Sequence, residues 1–445
     1  MNKKTLIVFT YALAGLGHLR VVHAFKDGLR KDLPSISIGS SDKTESSVHH
    51  FMSVSPITRF IMELFQKGTA EDLFTDIYID FLHRRSGHLL NDIVKAINDS
   101  QSDPEQIVFV CAHFGIAHKL TILRKEIEAA LKCKIFIIVQ VTDDSPQHIW
   151  YVPNVDLIAA PSEFTKKELE KYAKGKNLGY SPIEVIPYPV SPLFYEKLSD
   201  ERYSNRMAQL DKYSHASINL CIPVSGAAVG MTFFLHLVNL LSKKSAEFNF
   251  HIVSRSAPFT RIFLDQISKF RNVKTHVSGA DDNVVDLYED LYKNEVVSLE
   301  ITKPSEQAFK ALLPSDAIGG SILLFCHPVG RQEYDNINFL RRHKIIFTKE
   351  EQQKLWEKSD KSESISEAEF LDLFCEKRNL RGVELPIGSE RAANFIWWCL
   401  RQGIFEKILE QGLMPENREL ETRGDGVKLF WDRIYKLAGI NETLF

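Results

Sequence analysis

Short apolar runs alternate with segments of helical periodicity along most of the chain. The first run is Thr5–Thr10, and Ile107–Ala112 and Ile135–Val141 are further runs of strand length. Between them, apolar residues recur every three or four positions, as in Ala117–Leu131, which is the spacing of one helical face. Strands that alternate with helices form parallel sheets buried on both faces. The pattern therefore predicts an α/β fold.

The alternation stops at a segment rich in proline and then begins again. Three prolines fall between positions 187 and 192, a composition typical of a linker, and Ile218–Val224 opens a second series of strands. We therefore expect an N-terminal Rossmann-like domain at residues 1–195 and a C-terminal Rossmann-like domain at residues 215–347. The charged, helical pattern of residues 348–445 predicts a helical extension, to which the sequence assigns no role.

The stretch Val296–Ile346 contains two strand-loop-helix units in succession. One apolar run ends at Lys303, and a second run, Ile322–Cys326, ends before the loop HPVGRQE. Open α/β sheets hold ligands where the carboxyl ends of their strands meet the beginnings of helices. Helix beginnings present unpaired backbone N–H groups and the positive end of the helix dipole, so both loops are candidate sites for a diphosphate.

Polar side chains at these two helix beginnings could bind the rest of a nucleotide. Ser305 and Glu306 open the first helix, and Glu333 lies in the first turn of the second. A carboxylate within reach of a ribose accepts hydrogen bonds from its hydroxyl groups. The alternative is that these are ordinary helix-start residues, with Ser305 as a cap and the glutamates complementing the helix dipoles.

Loops after other predicted strands add three candidate residues. His18 follows the first strand and a Gly-Leu-Gly turn, where an imidazole could act as a base or simply lie on the surface. Asp143 follows the run Ile135–Val141 and could serve as a general base or only form an Asx turn. Gly226 follows the first strand of the second half, where small residues would either admit a diphosphate or form an ordinary tight turn.

Composition and charge exclude several classes of partner. A net charge of −3 and a pI near 6.6 argue against nucleic-acid binding, which usually needs a basic surface. The six cysteines have no metal-ligand spacing, and the adjacent aspartate pairs are no convincing ligand set, so we expect no bound metal. No apolar run reaches 18 residues, so we expect no membrane-spanning helix and a cytoplasmic protein.

One apolar segment leaves a peripheral membrane contact open. Ser53–Leu90 is rich in aromatic and aliphatic residues at helical spacing. Amphipathic helices that bury these residues in a core are one interpretation. The other is contact with a lipid acceptor or the inner face of the membrane, although the acidic residues of the segment argue against it because interfacial helices are usually cationic.

Three segments of the chain form a recognisable set: ITKPSEQAFKAL, PVGRQEYDNINFL and VTDDSPQHIWYVPNVDLIAAPSE. They resemble motifs of the GT-B glycosyltransferases, above all the branch of monogalactosyldiacylglycerol synthase, bacterial diacylglycerol glucosyltransferases and the enzyme that makes lipid II. In the donor half the matching positions are Thr302, Lys303, Pro304, Glu306, Gln332, Glu333 and Asn336. The chain departs from the pattern in two places: the Gly-Gly pair after Pro304 is missing, and Arg331 replaces a glycine.

The resemblance implies a GT-B fold, in which two Rossmann-like doubly wound domains face a cleft. It implies a hexosyltransferase that moves a sugar from a nucleotide sugar, expected to be UDP-linked, to a lipid or small-molecule acceptor, with no cofactor. His18 and Asp143 would be the catalytic base or acceptor clamp. The donor would be bound by Gly226, Lys303, Ser305, Glu306, Gln332, Glu333 and Asn336.

Two other functions stay open at this point. One is a sugar-nucleotide epimerase on the same fold, which needs no separate acceptor. The other is a non-catalytic GT-B descendant that binds a ligand or a partner. The missing glycines after Pro304, where glycine would let a backbone approach a ligand closely, and the last hundred residues, which match no part of the pattern, keep this second alternative open.

Overall fold

The computed structural model describes residues 4–11, 16–39, 69–84, 86–224, 230–374, 379–412 and 418–441. The chain divides into two compact units, Met1–Ser191 with Asp425–Phe445, and Pro192–Gly424. Each unit contains a six-stranded parallel sheet with flanking helices. The predicted α/β class with two Rossmann-like parallel sheets is therefore confirmed.

In its described residues, the first unit begins with six strands and five α-helices that largely alternate. The strands are β1 Thr5–Tyr11, β2 Ser35–Gly39, β3 Gln106–Cys111, β4 Lys134–Gln140, β5 Leu157–Ala160 and β6 Ile183–Val185. The α-helices are α1 Leu16–Asp27, α2 Thr69–Arg84, α3 Gly87–Asp99, α4 Phe114–Leu131 and α5 Glu163–Gly175, with a 3-10 helix at His148–Trp150. The sheet order is β2-β1-β3-β4-β5-β6. Strands β1, β3 and β4 are apolar and almost wholly buried, as expected for central parallel strands.

The second unit repeats this plan. Its strands are β7 Ile218–Pro223, β8 Phe248–Arg255, β9 Val273–Ser278, β10 Leu299–Thr302, β11 Ile322–Phe325 and β12 Gly382–Glu384, in the order β12-β11-β10-β7-β8-β9. Its α-helices are α6 Pro192–Tyr195, α7 Asp200–Leu210, α8 Met231–Lys244, α9 Arg261–Ile267, α10 Asp281–Asn294, α11 Arg331–Arg342, α12 Lys349–Asp360, α13 Glu367–Leu373, α14 Ser389–Arg401 and α15 Ile404–Gln411. The described residues of this unit also contain two 3-10 helices, Glu306–Leu312 and Leu420–Thr422.

Residues 348–445 are divided between the two units, which differs from the predicted separate extension. Strand β12 pairs with β11 at the edge of the second sheet, and α14 packs against α8. The last helix, α16 Gly426–Ala438, belongs to the first unit, where the Nε1 of Trp431 donates a hydrogen bond to the carbonyl oxygen of Phe25 at 2.9 Å. The apolar faces of these helices explain the division, because each is buried against a sheet or helix of a unit.

The segment considered for membrane contact lies partly outside the described residues. Its described part includes α2, on which Leu73 and Ile77 are each 61% exposed. Asp76 and Asp80 lie on the same helix, and Asp80 pairs with Arg84 at 2.8 Å. None of the helices in the described part of the chain combines the length and apolar character that a bilayer crossing requires.

Candidate functional site

The loops that follow β10 and β11 lie side by side in the second unit. The two strands pair in register from Leu299–Ile322 to Thr302–Phe325, so they end at the same edge of the sheet. The backbone N–H of Cys326 continues the pairing by donating to the carbonyl oxygen of Thr302 at 2.8 Å. The loop that contains Lys303 and the loop before α11 are therefore adjacent, as the sequence predicted.

Lys303 and Glu333 meet between these loops. The Nζ of Lys303 lies 3.6 Å from one carboxylate oxygen of Glu333, and the two side chains are 16% and 15% exposed. The other carboxylate oxygen of Glu333 accepts a hydrogen bond from the backbone N–H of Val329 at 2.8 Å. Glu333 thus helps to close the first turn of its own helix and also faces a cation from the neighbouring loop.

Asn336 holds the two loops together. Its side chain is fully buried, and its Nδ2 donates a hydrogen bond to the carbonyl oxygen of Pro304 at 3.1 Å. Asn336 lies one turn after Glu333 on α11, so the contact joins that helix to the loop after β10. This geometry gives Asn336 a part in positioning the loop that carries Lys303.

The helix after Pro304 is a 3-10 helix, whereas the sequence pattern indicated a helix without specifying its type. It begins at half-buried Glu306, and Ser305 precedes it without making a side-chain capping hydrogen bond to any described residue. Its seven residues are too few for a substantial dipole, whereas α11 has twelve. The helix beginning suited to a diphosphate is therefore that of α11, where Gln332 is exposed.

Cys326 lies beside the Lys303–Glu333 pair. Burial raises the pKa of the Cys326 thiol to about 12, and Lys303 offsets this only in part. A thiol with so high a pKa stays protonated at neutral pH and is a poor nucleophile. Gly226, the remaining donor-site candidate, lies outside the described residues.

In the first unit, His18 lies beside a histidine that the sequence analysis did not single out. The ring centroids of His18 and His113 are 5.1 Å apart with the planes at 85°, and Trp150 is 6.5 Å from His18. His113 caps α4, its Nδ1 accepting from the backbone N–H of Gly115 at 3.1 Å, so a neutral ring carries its proton on Nε2. The sequence feature that could have identified His113 is its position directly after a predicted buried strand.

The two aspartates after β4 have different environments. Asp144 is fully buried and accepts hydrogen bonds from the Thr165 hydroxyl at 2.8 Å and from the Ser162 hydroxyl, both at the beginning of α5. Asp143 is half-buried on the same loop. Asp144 therefore anchors the beginning of α5.

His148 joins the loop after β4 to α2. Its Nδ1 lies 2.7 Å from an oxygen of Asp72, and its ring stacks on Tyr172 with centroids 4.0 Å apart. These contacts show that the His148 imidazole packs between the loop and its neighbouring helices. Across the described ranges, no three His, Cys, Asp or Glu side chains come together in an arrangement that could hold a metal ion.

Comparisons with known proteins give similarities of chain trace only. No family model and no curated protein matches the sequence. Among solved structures, the chain is similar to UDP-N-acetylglucosamine 2-epimerase from Neisseria meningitidis bound to UDP-GlcNAc, with 11% identity over 97% of this chain and 99% of that one at a TM-score of 0.47. It is similar to MurG of Acinetobacter baumannii, with 9% identity over 97% and 99% at a TM-score of 0.45.

A plant enzyme shows the same degree of similarity. It is a UDP-glucosyltransferase from Polygonum tinctorium capable of glucosylating indoxyl, with 12% identity over 99% of this chain and 100% of that one at a TM-score of 0.46. These solved structures thus include a UDP-glucosyltransferase and a UDP-GlcNAc 2-epimerase.

Proposed function

We propose that the second unit binds a nucleotide sugar, UDP-linked, at the loops after β10 and β11, and that the protein transfers the hexosyl group to a lipid or small-molecule acceptor. The observation that carries the proposal is the meeting of Lys303 and Glu333 between two adjacent strand ends. Parallel sheets hold ligands at this kind of edge. The uridine nucleotide is the donor that the sequence resemblance implies.

The chemistry of these residues suits a diphosphate and a ribose. Lys303 has three N–H donors, and a pairing distance of 3.6 Å to Glu333 leaves it able to donate to phosphate oxygens as well. The beginning of α11 adds the positive end of the helix dipole. Glu306, half-buried at the beginning of the neighbouring 3-10 helix, would accept hydrogen bonds from ribose hydroxyls, and Ser305, Gln332 and Gly226 would complete the donor site.

In the proposed reaction, an acceptor hydroxyl oxygen attacks the anomeric carbon and the bond from that carbon to the diphosphate breaks. His18 takes the proton of the acceptor hydroxyl, and Asp143 orients the acceptor or the imidazolium. UDP leaves with the bonding electron pair. Lys303 and the α11 beginning stabilise the charge that develops on it, which is electrostatic preorganisation.

Binding of UDP tests the donor site. We expect Lys303→Met and Glu306→Ala each to weaken UDP binding about tenfold or more in isothermal titration calorimetry, because a hydrogen bond to a charged group contributes about 1.5–3 kcal/mol. Glu350→Ala is the matched control, since Glu350 is an exposed glutamate in the first turn of α12. Equal affinities in wild type and both site variants would refute the assignment.

The reaction itself is tested by NMR with UDP-sugars in the presence and absence of lipid and small-molecule acceptors. Transfer predicts release of UDP together with a glycosylated acceptor, and loss of that product in His18→Ala. A change in the sugar without any acceptor would identify an epimerase instead. UDP binding with no conversion of any tested sugar nucleotide would identify a binding protein.

A further inference from the structure

A buried charged cluster lies under the loop that carries Lys303. One carboxylate oxygen of Glu300 accepts from the Tyr288 hydroxyl at 2.6 Å, from the Lys310 Nζ at 2.7 Å and from the Tyr292 hydroxyl. Lys310 also donates to the Tyr288 hydroxyl at 2.7 Å. All four side chains are at most 3% exposed, so the cluster is closed to solvent.

The cluster joins three consecutive parts of the unit. Tyr288 and Tyr292 are one helical turn apart on α10, Glu300 lies on β10 three residues before Lys303, and Lys310 lies in the 3-10 helix that begins at Glu306. The Glu300–Lys310 pair therefore links the strand before the loop of candidate donor residues to the 3-10 helix after that loop. Side chains alternate along a strand, so Glu300 faces away from the core cluster that includes Leu299 and Ile301.

The lysine in this cluster is held by more than one interaction. Burial lowers the pKa of Lys310, and the Glu300 carboxylate opposes that shift. The Nζ also lies 3.9 Å from the ring centroid of Tyr292 and 5.0 Å from that of Phe194. Buried ion pairs often add little net stability over apolar residues of the same size, so geometric specification is the better explanation for this one.

The same loop has a second fixed point. Asn336 donates to the carbonyl oxygen of Pro304, so the loop is fastened in its middle as well as across its ends. The Gly-Gly pair that resembling enzymes have after Lys-Pro is missing here. A short loop without glycines cannot adjust its backbone to a ligand freely, so its resting position decides where Lys303 and Glu306 point.

We propose that Glu300 and Lys310 are a positioning pair that sets the loop Lys303–Glu306 for the diphosphate and ribose of the donor. Neither residue touches the ligand in this proposal. It rests on the proposed function, since it assigns to the pair the geometry of that same nucleotide-sugar site.

The test compares UDP affinity with the stability and exchange behaviour of the whole chain. Lys310→Met removes the pair, Tyr292→Phe removes one hydroxyl with the ring kept, and Glu300→Gln/Lys310→Met replaces both charges with neutral groups of similar size. The control is Ile396→Val, a small core deletion on the opposite face of the sheet in α14. Each variant is checked for folding by circular dichroism and thermal unfolding before UDP titration.

We expect Lys310→Met to weaken UDP binding about tenfold and Tyr292→Phe about threefold, with faster hydrogen exchange at the amides of Lys303 and residues 305–308. The neutral double variant should recover thermal stability without recovering affinity. Ile396→Val should lose stability and keep wild-type affinity. That combination separates positioning from a general contribution to the fold.

Three results would overturn the positioning role. They are a folded Lys310→Met protein that binds UDP within twofold of wild type, an affinity loss in Ile396→Val equal to that in Lys310→Met, and full recovery of affinity in the neutral double variant. Absence of UDP binding by the wild-type protein is a different outcome, which refutes the donor site itself. Unchanged exchange at the amides of Lys303 and residues 305–308 in Lys310→Met would then show that the pair does not hold the loop either.

Discussion

At the scale of single residues, His118 shows how burial controls an ionisable side chain. It lies in α4, almost fully buried, with its Nε2 3.0 Å from the carbonyl oxygen of Ile149. Burial lowers the pKa of His118 to about 4, so the ring is neutral at pH 7 and donates its Nε2–H to that carbonyl. His251 in β8 is a second case, with a pKa also lowered by burial to about 4.

These histidines predict a loss of stability in mild acid. His118 takes up its proton near pH 6.5 in the unfolded chain but only near pH 4 in the folded chain. Its contribution to the free energy of unfolding is therefore complete above pH 6.5 and declines as the pH falls towards 4. A difference of this size corresponds to about 3 kcal/mol at most. We expect the urea midpoint of wild type to fall steeply between pH 7 and 4.5, and His118→Gln to show a smaller fall.

His88→Gln is the matched control for this comparison, because His88 is exposed on α3. Its urea midpoint should follow the wild-type dependence on pH. An equal slope in His118→Gln and wild type would show that His118 does not carry the effect.

Residue roles were the least predictable part of the site. Asp143 and Asp144 are adjacent in the sequence, and only the structure shows that Asp144 is the one hydrogen-bonded to the beginning of α5. Loop residues have no regular spacing that would predict which of two adjacent side chains faces inward. Glu300 was equally hidden, because the apolar pattern of a buried strand gives no reason to expect a paired carboxylate within it.

At the scale of elements, α16 packs an aromatic face against α1 and β1. The rings of Phe430 and Phe25 stack with centroids 4.0 Å apart, and Trp431 meets Phe9 edge-on at 6.1 Å. Gly28, just after α1, allows this close approach. A Cβ at position 28 would lie 2.2 Å from the Cγ1 of Val427, in the first turn of α16.

This contact predicts that a second substitution can offset the loss of stability caused by a first. Gly28→Ala should destabilise the protein by about 1–3 kcal/mol, because an added methyl group in a packed contact forces its neighbours apart. Val427→Ala removes the clashing methyl, so Gly28→Ala/Val427→Ala should be more stable than the sum of the two single changes predicts. Urea unfolding of the four proteins measures this coupling. Simple additivity would show that the two positions do not meet as the structure has them.

Periodic elements were predictable from the sequence, whereas short ones were not. The strands β1, β3 and β4 were evident as apolar runs, since central parallel strands are buried on both faces. Strand β12 has three residues, too few for any period to be visible. The helical pattern of α16 was visible, but its partner is some 400 residues away, and amphipathicity does not specify which surface covers an apolar face.

At the scale of the whole molecule, the chain passes between the two units twice. It leaves the first unit at Ser191 and returns to it at Asp425. The proline-rich segment indicated the first crossing, whereas no change of composition or period along the chain marked the second. The two-sheet plan was therefore accessible from pattern alone, while the allocation of residues 348–445 depended on long-range packing.

The second crossing has a consequence for biosynthesis. About 230 residues are translated between Ser191 and α16, which at bacterial to eukaryotic elongation rates takes roughly 10–50 s. Throughout that interval the nascent first unit lacks the helix that shields Phe9 and Phe25 from water. Each nascent chain therefore exposes an apolar surface near the ribosome exit site until its last segment has been translated. Chaperones that bind nascent chains are suited to cover such a surface.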